Sequence, residues 1–207
     1  MTLRVSDLAV TRGDRTLAAG LRFAVERGQV VHLQGRNGAG KTSLLEVLCG
    51  LRAPAAGIIE GRPEPRDYHW IGHKNALNAV LTVEENLRFW CALHDQPVEG
   101  IAAALDRVGL KPLRHRPCGS LSTGQKRRAA LARLLAVPRP WWFLDEPLAG
   151  LDAGGLVLFG EMLEAQLNAG GAAVMTSHQP LPMEASRVQV LVLAAPVKSI
   201  GSIGGAA

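Results

Sequence analysis

Residues 35–42 read GRNGAGKT, the spacing G-x-x-x-x-G-K-[ST], between an apolar run Val30–Gln34 and an amphipathic run Lys41–Cys49. Glycines let such a loop bend until successive N–H groups converge on one anion. A helix opening directly after the loop adds its positive end. That chemistry suits a polyphosphate. Lys41 is the charge for the β- and γ-phosphates, and Thr42 offers a hydroxyl to Mg²⁺. Gly35, Arg36, Asn37, Gly38, Ala39, Gly40, Lys41, Thr42 and Ser43 form the candidate phosphate-binding set. A second feature is WWFLDE at 141–146, four apolar residues ending in Asp145 and Glu146. In open α/β sheets ligands bind at the carboxyl ends of strands. Asp145 is then placed to hold Mg²⁺ through water, and Glu146 to orient or deprotonate an attacking water. Loop and acids together predict hydrolysis of ATP with Mg²⁺.

These groups need a scaffold of strand ends. Leu3, Val5, Leu8 and Val10 alternate, as do Leu21, Phe23 and Val25, with a turn at Gly13-Asp14, so the chain should begin as paired strands. Further strands are expected at 30–34, ending at Trp70-Ile71, and at 141–144, 172–176 and 188–193. Helical spacing marks 41–49, 83–94, 99–108, 123–136 and 153–168. The implied fold is α/β: a mostly parallel sheet covered on both faces, an N-terminal antiparallel part, and a helical insert at about 83–137. At 207 residues the chain is expected to be one domain, with a loose tail at about 196–207.

Composition removes several alternatives. The longest apolar stretches, such as Val188–Val197, are far shorter than the roughly 20 residues that span a bilayer. The N-terminus MTLRVSDLAV carries charges and does not read as a signal peptide. A cytoplasmic chain that reaches a membrane only by docking is expected. Cys49, Cys91 and Cys118 match no metal or redox spacing and read as reduced thiols. The net charge of +5 is scattered, and no nucleic-acid partner is expected.

Residues 121–125, LSTGQ, followed by KRRAALARLL, closely resemble the signature sequence of ABC-type ATPases. Leu151-Asp152 is similar to that family's D-loop, and His178 in TSHQP to its switch histidine. The resemblance runs from about Leu3 to Leu193. It implies a P-loop NTPase fold of the ABC type, with catalytic roles for Lys41, Glu146 and His178. It also implies a head-to-tail homodimer, with ATP between the phosphate loop of one copy and the signature of the other. Ser122, Gly124 and Gln125 would then face the γ-phosphate through N–H groups and a helix dipole, with Asp152 nearby.

Two positions depart from the family pattern. Arg12 in VTRGD stands where many members have an aromatic residue that stacks on adenine; an Arg plane can partly substitute. His73 stands where the family has its Q-loop glutamine. WIGHKNALNAVLTVEENLRFW, LDEPLAGLD and TSHQPL resemble the haem-exporter family of cytochrome c biogenesis ATP-binding subunits. That resemblance implies a polytopic membrane partner (CcmB-like), a haem-handling membrane protein (CcmC-like), and a peripheral place on the cytoplasmic face of the bacterial inner membrane. It also implies use of ATP to release haem-loaded chaperone. No direct haem ligation is expected, since the histidines are scattered and no Cys-x-x-Cys-His occurs. The alternatives are the ATPase of another small exporter or, from a different class, a soluble ABC ATPase acting on nucleic acid.

Overall fold

Alternation along the central strands sorts the side chains into two cores. In β6 (Trp141–Leu144) and β7 (Ala172–Thr176), Trp141, Phe143, Ala172 and Val174 point to one side, and Trp142, Leu144, Ala173 and Met175 to the other. Both strands read as unbroken apolar runs because both faces are covered. The computed structural model describes residues 2–194; the tail expected to be loose, 196–207, lies outside them.

The main sheet has five parallel strands in the order β5 (Tyr68–Ile71), β6, β7, β3 (Val30–Gln34), β8 (Val188–Val192). A three-stranded antiparallel sheet has β1 (Leu3–Arg12) between β2 (Arg15–Val25) and β4 (Ala56–Glu60). β1, β2 and α1 (Lys41–Leu48) cover one face of the main sheet. The other face packs against α2 (Val83–Leu93), α3 (Gly100–Arg107), α4 (Thr123–Ala136) and α5 (Ala153–Asn168). α2, α3 and α4 form the insert between β5 and β6, which are neighbours in the sheet. The expected α/β architecture, the antiparallel N-terminal part and the helical insert are all present.

Local chemistry starts these helices. α2 and α4 open on reciprocal capping boxes, Thr82 with Glu85 and Ser122 with Gln125. Asp152 caps α5 by accepting from Gly155 N–H at 2.8 Å. Two buried arginines fasten α4 to the segment after β5. Arg127 donates to the Gly72 and His73 carbonyls, and Arg133 to the Asn75 carbonyl at 2.6 Å. Arg133 also lies 4.7 Å from the centre of the Trp90 ring. Burial pushes Arg133 down to about 10, so it stays charged at neutral pH. An orphaned buried carbonyl is costly, so residues 72–75 are held to the helix that carries the LSTGQ sequence.

His69 on β5 is buried, bonded to the Val137 carbonyl and stacked on Trp90. Burial pushes it from the usual 6.5 down to about 3. The folded state thus binds this proton less tightly than the unfolded chain. Stability from the neutral ring is complete above the unfolded value and is lost as pH falls from there towards 3. By pH 5 the loss amounts to about 2 kcal/mol. His69→Phe should be less stable at pH 7.5, having orphaned a carbonyl, and should lose about 2 kcal/mol less between pH 7.5 and 5. Urea unfolding at both pH values measures the difference; equal losses in the two proteins would contradict it.

Candidate functional site

The ends of β3 and β6 and the start of α1 converge on one cleft. Gly40 makes the turn into α1 possible on two counts. Its φ is +98°, and a Cβ there would sit 2.8 Å from the Leu17 Cβ. Lys41 follows, 8% exposed, with its Nζ donating to the Gly35 carbonyl at 2.8 Å. The ammonium is thereby held across the mouth of the glycine loop. Thr42 Oγ1 donates to Asp145 Oδ2 at 2.9 Å. A short helix from one strand and an acid from another are thus joined across the cleft.

Asp145 is buried, and its second oxygen is also occupied. Oδ1 accepts from Thr176 Oγ1 at 2.8 Å, and the same hydroxyl oxygen accepts the Glu146 N–H at 2.8 Å. Glu146 has a φ of +52°, a left-handed conformation unfavourable for a residue with a Cβ. Its Oε1 is buried with no hydrogen-bond partner, and His178 Nε2 lies 3.5 Å away. A buried carboxylate oxygen left open towards a cleft is suited to accept from a water or a phosphate-bound group.

The cleft measures about 790 Å³ and is lined by Arg36, Asn37, Gly38, Gly40, Lys41, Thr42, Ser43, His73, Asp145, Glu146 and His178, with Arg12, Arg15, Leu17 and Ala149. Two expected residues do not line it. Ala39 is packed in the core, and Gly35 contributes its carbonyl to Lys41. No Phe, Tyr or Trp side chain lines the cleft among the described residues; the end formed by β1 and β2 carries the two guanidiniums of Arg12 and Arg15.

Ser122, Gly124, Gln125 and Asp152 lie elsewhere. They line a second hollow of about 410 Å³ with Gly109, Leu110, Leu113, Arg128 and Gly150. Gly124 is closed in here: an added Cβ would meet the Gly150 carbonyl at 2.8 Å. Arg128 pairs with Asp152 across the rim and, with the Gly155 N–H, holds that carboxyl below its usual range. The Ser122 N–H donates to Gln125 Oε1 at 3.0 Å, and the Gln125 N–H donates to the Ser122 Oγ at 3.2 Å. The capping box that starts α4 uses both. The Thr123 and Gly124 N–H groups are the donors left at this helix start.

A family model described as ABC transporter matches residues 18–149. The chain is 45% identical over 186 residues to the cytochrome c biogenesis ATP-binding export protein CcmA of Rhodobacter capsulatus, covering 90% of this chain and 85% of that protein. It is 43% identical over 190 residues to the CcmA of Ruegeria pomeroyi, covering 92% and 91%. The chain belongs to the ABC transporter family, among the cytochrome c biogenesis ATP-binding export proteins. Among solved structures it is similar to an ABC transporter ATP-binding protein of Pyrococcus furiosus, with a TM-score of 0.80, 25% identity, and coverage of 92% and 98%. A nucleotide-free ATP-binding cassette shares the fold at a TM-score of 0.76, with coverage of 93% and 88%.

Within this family the two hollows have a common logic. The phosphate loop with its acids and the LSTGQ helix start line separate hollows with no residue in common. Arg127 lies behind the acids, where Asp145 and Glu146 partly offset the burial that lowers its affinity for its proton. Sequence reasoning missed Thr176, Arg127 and Arg133. Thr176 had one signal, as the lone hydroxyl in the apolar run AAVMT. The arginines lay in a basic run that reads equally well as a solvated helix face.

Proposed function

We propose that the chain is the ATP-binding and ATP-hydrolysing subunit of an ABC export complex serving haem export and cytochrome c biogenesis, as the names of its relatives suggest. The observation that carries the mechanism is the division of the site into two incomplete halves on one chain. Two copies set head to tail would close one cleft of each against the second hollow of the other. The Thr123 and Gly124 N–H groups and the α4 dipole would then meet the γ-phosphate bound by the partner copy's loop. Neither half alone surrounds the nucleotide, so ATP holds the pair together until it is cleaved.

Residue roles follow from the chemistry. Lys41 exchanges the Gly35 carbonyl for β- and γ-phosphate oxygens. The donor set of Thr42 Oγ1 and Asp145 is all oxygen, which fits Mg²⁺ held by few protein groups and by phosphates. When bound, Mg²⁺ neutralises charge on the β- and γ-oxygens. Asp145 acts through water. Glu146 orients the attacking water and takes its proton through the open Oε1. His178 faces the same space and contacts the γ-phosphate, with His73 on another wall. Gln125 shapes the signature loop by capping it, and Asp152 is fixed beside it by Arg128. Arg12 and Arg15 flank the nucleobase, where a guanidinium plane can stack.

The complex would include a polytopic CcmB-like membrane subunit and a CcmC-like haem-handling protein at the cytoplasmic face of the inner membrane. Among the described residues no helix is long and apolar enough to cross a membrane, so contact would be by docking. The segment from Asn75 to Glu85 is the docking groove, with Val80 exposed within it and Phe89 and Leu93 of α2 exposed beside it. ATP-driven closure would move this groove and promote release of haem-loaded chaperone. Neither nucleic acid nor haem is a ligand of this chain.

Glu146→Gln should lower turnover about 100-fold or more while ATP is still bound. Lys41→Ala should lose bound nucleotide as well as turnover. Single-turnover hydrolysis and nucleotide retention after gel filtration measure both. Wild-type turnover in Glu146→Gln would remove that residue from its role.

A further inference from the structure

We infer that Thr176 is a positioning residue for ATP hydrolysis: its one hydroxyl sets both the Asp145 carboxylate and the Glu146 backbone. The inference rests on the reading of Asp145 and Glu146 given above and gives a role to the first residue of the TSHQP run, to which the resemblance assigned none.

Thr176 closes β7, next to β6 in the sheet, with Met175 in register with Leu144, so it falls beside Asp145. It is 0% exposed, and the four strand residues before it, Ala172–Met175, are all apolar. Valine would fill the same space and suits a buried strand at least as well. A buried hydroxyl is tolerated only where it is fully bonded. Here its bonding is complete and its polarity is forced. A carboxylate only accepts, so the hydroxyl proton goes to Asp145 Oδ1 at 2.8 Å. The lone pairs then remain to accept the Glu146 N–H at 2.8 Å.

Each bond has a consequence in the cleft. The first, with the Thr42 bond to Oδ2, fixes both oxygens of Asp145 and hence the plane of the carboxylate. The second captures the N–H of a residue whose φ of +52° is otherwise unfavourable. That backbone turn presents Glu146 Oε1 to the space beside His178. Without the hydroxyl, Asp145 loses a donor and Glu146 loses the anchor of its turn. Both changes act at Asp145 and Glu146 rather than at Lys41 and the loop N–H groups, so the effect falls on turnover and Mg²⁺ dependence more than on affinity for ATP.

The test compares Thr176→Val, which keeps the shape, with Thr176→Ser, which keeps the hydroxyl, in the full chain purified with its membrane complex. Thr176→Val should lower kcat about 10- to 100-fold with KM for ATP changed less than about threefold, and Thr176→Ser should recover most of the loss. A readout apart from turnover is the Mg²⁺ concentration that half-saturates the rise in Tm given by a non-hydrolysable ATP analogue. It should rise about tenfold in Thr176→Val and stay near wild type in Thr176→Ser. If the valine variant does not fold, Thr176→Ala against Thr176→Ser makes the same comparison without the branched methyl. Equal turnover and equal Mg²⁺ dependence in the hydroxyl-bearing and hydroxyl-free variants would overturn the inference while leaving the ATPase reading standing. A wild-type complex that turns over no ATP would overturn that reading, and the inference with it.

Discussion

Asp145 is the point on which the cleft depends. Its carboxylate accepts from Thr42 on one side at 2.9 Å and from Thr176 on the other at 2.8 Å. It therefore ties α1, β6 and β7 together at the end of the sheet. An acid buried to this depth is tolerable only when its oxygens are hydrogen-bonded. The two hydroxyls meet that requirement with neutral groups, and the Arg127 guanidinium, which is not hydrogen-bonded to it, offsets its charge only in part. The same arrangement forces Glu146 into its left-handed turn and leaves its Oε1 unpartnered beside His178.

The second organising constraint is the distance between the two hollows. The LSTGQ helix start lines a different hollow from its own chain's phosphate loop. Yet the two are mechanically joined within the chain. Arg127 and Arg133 fasten α4 to the carbonyls of residues 72–75, and His73 in that segment lines the phosphate cleft. Arg128 and the close contact of Gly124 with Gly150 join α4 to the loop after Glu146. The segment that lines the phosphate cleft is thus linked through α4 to the helix start that lines the second hollow.

Much of this was legible in the sequence, because periodicity and glycine spacing report backbone requirements directly. The GRNGAGKT loop had to bend and precede a helix, and it does. The run WWFLDE had to be a strand buried on both faces with its acids at the ligand end, and it is. The placement of Arg12 and His73 on the cleft walls also agrees with the sequence. Other features could not be read along the chain. The bonding of Thr176 to residues 145 and 146 depends on β6 and β7 being neighbours, which strand spacing does not give. Arg127 and Arg133 appeared as part of a basic helix and proved to be buried, since their partners lie 50 or more residues away. The Ser122 N–H is used by its own capping box.

The central claim is that each complete site takes one half from each of two chains, and mixing experiments test it most directly. In a Glu146→Gln background, one chain carries Lys41→Ala and the other Gly124→Asp. Each alone has both of its sites damaged and should retain no ATP. Mixed dimers have one doubly damaged site and one intact site, and random pairing makes about half of all dimers mixed, so an equal mixture should recover about one retained ATP per two dimers. Retention that stays at the level of the separate variants would contradict the shared site. Retention by either variant alone would show that the damaged half is not needed.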